Sequence, residues 1–94
     1  RVPSHSHSFD AGAAWMALAL QAASMGLVAH GMTGVDFDAA GKVVNAPQGL
    51  RVEAAIAIGY PGDKSILPEE MQQREVKSGR KPLSETVFNG PLPV

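Results

Sequence analysis

Between Ala11 and Val35 the chain carries no charged residue, and its apolar side chains keep to no single stripe. Trp15, Met16, Leu18, Leu20 and Met25 fall on several faces of a helical wheel, with alanines and Gly12 between them. Ala, Leu and Met are strong helix formers. Ser8 suits an N-cap, Asp10 places a carboxylate in the first turn, and Gly26 stands where a left-handed C-cap is wanted. The pattern predicts a helix over about 9–25. A helix that is apolar all round is a buried helix. The 25 uncharged residues could span a bilayer by length. Gly26, Gly31 and Gly34 interrupt the stretch, however, and Gln21, Ser24, His30 and Thr33 dilute it, so cover by protein is the better reading.

After this helix, Leu27-Val28-Ala29 reads as a short extended segment leading into a glycine loop, His30-Gly31-Met32-Thr33-Gly34. Asp36 caps a second short helix, about Phe37 to Val44, and Pro47-Gln48-Gly49 makes a turn. From Ala54 to Gly59 the chain is continuously apolar without alternation, the pattern of a strand covered on both faces, and Tyr60-Pro61-Gly62 ends it. Ten of the 17 charged residues follow Tyr60. The chain therefore divides into an apolar body, 1–61, and a polar arm, 62–94. The arm holds one or two helical turns at Pro68–Glu75, then Arg80-Lys81-Pro82-Leu83 and an apolar patch at Val87-Phe88.

One helix needing cover on most sides and one strand needing neighbours do not make a closed core. An unpaired ladder group costs roughly 1–3 kcal/mol if buried. The pattern thus points to further strands and helices from outside these 94 residues, whether in the same polypeptide, a second copy, or both.

Composition narrows the chemistry. The net charge is −1, and no basic face suggests nucleic acid. There is no cysteine, so no disulfide framework and no thiolate metal site, which fits a cytoplasmic setting. His5 and His7 lack a third ligand at sensible spacing, so no metal is expected. Asp36 and Asp38 are helix-start carboxylates, and no nucleophile–base arrangement stands out.

The order of the pieces is more specific than any one of them. The alanine-rich helix opens Ser8-Phe9-Asp10-Ala11-Gly12 and closes Ser24-Met25-Gly26-Leu27. The glycine loop, the short helix with its turn at Pro47, the strand ending Ile58-Gly59-Tyr60-Pro61, and Arg80-Lys81-Pro82-Leu83 follow in turn. Over about residues 8–88 the chain resembles the C-terminal half of the nitroreductase family of flavin enzymes. The resemblance implies an α+β fold, a mixed sheet flanked by helices, built as an intertwined homodimer of which this chain supplies part. It implies FMN at the dimer interface, the long helix in the dimer core, and the polar arm reaching across the partner. The family's N-terminal half carries an Arg-rich phosphate-binding motif that is not in this sequence, so this chain alone is expected to be inactive.

Residue by residue, the resemblance makes the backbone N–H groups of Thr33 and Gly34 the donors nearest flavin N5 and O4. His30, Gly31 and Met32 would line the ring's face or edge. Many family members have an acidic residue where Thr33 stands, which bears on substrate preference. Gly31 and Gly34 are expected to use backbone conformations closed to other residues and to let a flat ring approach. Arg80, in an Arg-x-Pro setting, would grip the flavin phosphate; Lys77 and Lys81 read as solvated arm residues. The implied activity is an oxidoreductase that takes a hydride from NAD(P)H and reduces a nitroaromatic or quinone, with no side chain required as acid or base. Other activities of the superfamily, such as reductive dehalogenation, fit the same residues. From another class, a non-catalytic oligomerisation module would use the same uncharged helix as a contact face.

Overall fold

The computed structural model describes residues 2–93. The chain divides into two units, Arg1–Pro61 and Gly62–Val94.

The first unit begins with helix α1, His7–Ser24, with Ser6 at the N-cap position but making no side-chain cap bond. The helix therefore starts two residues before the position expected from Ser8. Ser8 lies inside the first turn, and its hydroxyl turns away from the backbone to bond Glu53 at 2.8 Å. At the first turn Asp10 instead accepts from the Ser6 hydroxyl at 2.9 Å. The far end is as the glycine signalled. Gly26 adopts φ +74, the Gly26 N–H donates to the Ala23 carbonyl (3.1 Å), and Leu27 donates to Ala22 (2.9 Å). This pair of reversed bonds is a Schellman cap, and it turns the chain directly into a strand.

That strand is β1, Val28–Met32, which pairs antiparallel with β2, Ala55–Gly59. Three residues of the expected glycine loop, His30, Gly31 and Met32, are thus ladder residues opposite Ala57, Ile56 and Ala55. The expected lone strand has a partner, and the loop proper is only Thr33 to Val35. The fold is α+β, and the sheet among the described residues is two-stranded and antiparallel. β2 begins one residue later than its apolar run and pairs on one edge.

Between the strands, α2 spans Phe37–Val43, with the Asp36 carboxylate accepting from the Ala39 N–H at 2.9 Å. It ends in a second Schellman cap. Asn45 takes φ +51 in glycine's usual place, and Ala46 donates to the Gly41 carbonyl at 2.8 Å. Asparagine tolerates this left-handed conformation better than most side chains. The turn that follows closes from Leu50 N–H to the Pro47 carbonyl (3.1 Å), with Gly49 at φ +90.

The unit covers one stripe of α1. Trp15 and Ala19 are half-buried and Ala22 is 5% exposed, at helical spacings of four and three. Another stripe stays open: Phe9 is 80% and Leu20 64% exposed, with Met16 between them. A helix apolar all round is therefore buried by its own chain on one side only.

The second unit holds a 3₁₀ turn at Lys64–Ile66, helix α3 at Glu69–Arg74 and a 3₁₀ turn at Leu83–Glu85. Pro68 caps α3 rather than opening it. The Gln72 amide bonds the Leu67 carbonyl at 2.8 Å, and the Asp63 carboxylate accepts from Ser65 N–H at 2.8 Å, which holds the Asp63 carboxyl below its ordinary range.

Candidate functional site

The alternation of a strand assigns the candidate residues to faces. Directly paired residues share a face, so Ala29, Gly31, Ile56 and Ile58 lie on one side of the ribbon, and Val28, His30, Met32, Ala55 and Ala57 on the other. Helix α1 packs on the first side. His30 and Met32 therefore share one face of the ribbon and Gly31 lies on the other. His30 is exposed and Met32 half-buried on the face away from α1, whereas Gly31 faces the helix.

Gly31 is also not a conformational glycine. Its φ is not positive; the left-handed glycines are Gly26, Gly49 and Gly90. What a side chain at this position would press against is Trp15. A Cβ at position 31 would stand 3.0 Å from Trp15 Cζ2 and 3.2 Å from Cε2, closer than carbon atoms normally approach. The indole ring sits against bare backbone 16 positions away along the chain. No local pattern around His30-Gly31-Met32 carries that contact, and Trp15 alone reads as a core residue.

Thr33 and Gly34 follow at the open end of β1. Among the described residues neither N–H donates to a protein acceptor, and a Cβ on Gly34 would meet nothing within 4 Å. Two successive N–H groups without a protein acceptor can donate to an anionic or carbonyl-bearing ligand edge. Nothing in the local packing explains why residue 34 is glycine.

Arg80 belongs to the second unit. Its Nη1 bonds the Ser78 hydroxyl at 2.7 Å and the carbonyls of Ser78 and Gly79, both at 3.2 Å. The guanidinium is thus steadied on its own loop through one nitrogen. Nη2 and Nε have no protein partner among the described residues and can form the parallel bonds a phosphate takes.

A polar cluster absent from the sequence reading joins α1 to the approach of β2. The Arg51 guanidinium donates to both Glu53 oxygens, at 2.9 and 3.1 Å, and to Ser8 Oγ at 2.9 Å. His7 Nδ1 lies 3.2 Å from Ser8 Oγ and 3.8 Å from Glu53. The Arg51 bond first, and the Ser8 hydroxyl second, hold the Glu53 carboxyl below its ordinary range. His7 is thus a helix residue engaged with Ser8, and no group of three ligating side chains occurs among the described residues. This cluster borders an open, mostly apolar groove of about 570 Å³ lined by Ser8, Gly12, Trp15, Gly31, Glu53 and Ile56. A larger depression of about 760 Å³, between α2 and the 45–53 segment, contains none of the candidate residues. No described helix is long and apolar enough to cross a membrane.

Comparison with known proteins agrees with this architecture. No family model matches the chain. It is 35% identical over 82 residues to an uncharacterized 15.4 kDa protein of Mycolicibacterium smegmatis, covering 86% of this chain and 55% of that protein. It superposes with a TM-score of 0.93 and 49% identity on a solved oxidoreductase containing FMN, covering 97% of this chain and 46% of the other. The chain spans about half the length of each of these proteins. Its α+β fold is that of part of an FMN-containing oxidoreductase.

Proposed function

We propose that this chain forms part of an FMN-dependent oxidoreductase of nitroreductase type, with NAD(P)H as hydride donor and a nitroaromatic or quinone as acceptor. The observation that carries the reading is the match, along almost the whole chain, to an oxidoreductase containing FMN. The site residues fit the group. Free N–H donors at Thr33 and Gly34 suit an isoalloxazine edge, and the unused nitrogens of Arg80 suit a phosphate.

Bound flavin would supply the two-electron chemistry. The chain's own residues bind and orient. Donors from Thr33 and Gly34, fixed at the end of a paired strand, would favour negative charge on the ring edge they face. Met32, half-buried one residue earlier, would help exclude water, and His30 on the same face would border the acceptor. The exposed stripe Phe9–Met16–Leu20 suits burial against a second copy of the protein or its remaining segments.

The test is colour and reduction. The purified full-length protein should carry or take up FMN, shown by flavin absorption, and NADH or NADPH should bleach it without oxygen. A colourless protein that cannot be reconstituted would overturn the reading. Arg80→Ala should weaken FMN binding by about 1.5–3 kcal/mol, the range for charge-assisted hydrogen bonds, measured by fluorescence titration. Unchanged affinity would remove Arg80 from the phosphate site.

A further inference from the structure

We propose that Trp15 is a positioning residue for the flavin-facing donors, and that Gly31 is glycine so that the Trp15 indole can seat the end of β1. The inference rests on the flavin reading above and adds to it a residue far from any proposed ligand contact.

Three observations converge. Trp15 lies in the one stripe of α1 that the chain covers, with Ala19 and Ala22 below it. At the Ala22 end, helix and strand are joined through a Schellman cap, which fixes where β1 starts. At the other end of β1 no cap or loop bond does this, and Thr33 and Gly34 make no backbone bonds among the described residues. The Trp15 ring against Gly31 is the contact that sets how high that end stands above the helix, two residues before the first donor. A Cβ at residue 31 would stand 3.0 Å from the ring, so the indole or the strand would have to give by a few tenths of an ångström.

The sign of a substitution separates this role from ordinary strand chemistry. Alanine normally strengthens a strand relative to glycine. Here it must push the indole or lift β1, and a lift carries the Thr33 and Gly34 donors with it. Trp15→Phe removes the part of the indole that faces residue 31, so it should relieve the clash.

The experiment uses the full-length FMN-loaded protein. Gly31→Ala should weaken FMN binding at least tenfold and shift the flavin reduction potential and visible circular dichroism. Trp15→Phe alone, which leaves the seat too loose, should weaken binding about threefold. The double variant should return to within about threefold of the unmodified protein, with its visible dichroism restored. Should Gly31→Ala not fold, the Trp15→Phe and double variants still decide. Flavin affinity and spectrum unchanged in Gly31→Ala, or a double variant that binds FMN tenfold or more weakly than the unmodified protein, would overturn the proposal. Failure of the unmodified protein to bind FMN would instead overturn the functional reading on which it rests.

Discussion

The two units hold their shape by different means. In the first, side chains far apart in the chain meet: Ser8 bonds Glu53 across 45 positions, Trp15 rests on Gly31, and β1 pairs with β2 across α2. In the second, every side-chain hydrogen bond among the described residues reaches seven positions or fewer, as in Gln72 to Leu67, Arg80 to Ser78 and Thr86 to Leu83. The first unit is specified by tertiary contact, and the second by caps, prolines and turns. A segment specified only by bonds of this reach builds no core of its own. It also leaves Ile66, Val76, Leu83 and Val87 exposed, side chains that a self-contained unit would bury.

Perturbing the long-range contacts should therefore hurt one unit and spare the other. The largest effect is expected from Ala22→Leu, which forces two extra branches into the covered stripe. It should destabilise by about 1–3 kcal/mol, seen as faster amide exchange through α1 and β1, with residues 63–75 unchanged. Equal acceleration in both units would break the comparison. Gly26→Ala comes next. Forcing a Cβ into φ +74 should cost about 1–2 kcal/mol, with fraying concentrated at the α1–β1 junction in the same exchange experiment.

The smallest effect concerns the Ser8–Arg51–Glu53 cluster, which is exposed and therefore weak. Because Arg51 and Ser8 lower the Glu53 pKa in the folded state, their contribution is present above the ordinary glutamate value of about 4.3. It is lost as pH falls through the lower folded value. A carboxyl-carbon NMR titration should place the Glu53 midpoint below that ordinary value, and Arg51→Gln should raise it. A midpoint indifferent to residue 51 would show that the cluster does not couple the two segments.

What could be read from residues alone follows the same division. α1, α2 and their caps at Gly26 and Asp36 were legible because helix formers, carboxylates and glycines act within a turn or two. β1 was not. Its His30 and Gly31 look like loop residues until β2, more than twenty positions on, supplies the ladder. Ser8 carries a sound N-cap signal, yet Glu53 and Arg51 claim its hydroxyl. The loop candidates, 30–34, form a contiguous run, while the division of 30–32 between two faces is visible only from the pairing register. Asn45 in the left-handed region had no local sign beyond asparagine's tolerance of it.

The pairing of Trp15 with Gly31 also bears on how the sheet finds its alignment. Alanines at positions 55 and 57 give β2 little side-chain shape with which to choose among alignments. A slip of β1 by one residue would bring His30 or Met32 under the indole, where even a single carbon is crowded. The missing side chain at residue 31 thus works as a key: among neighbouring alignments of the ribbon over the helix, it admits the one that leaves Thr33 and Gly34 at the open end.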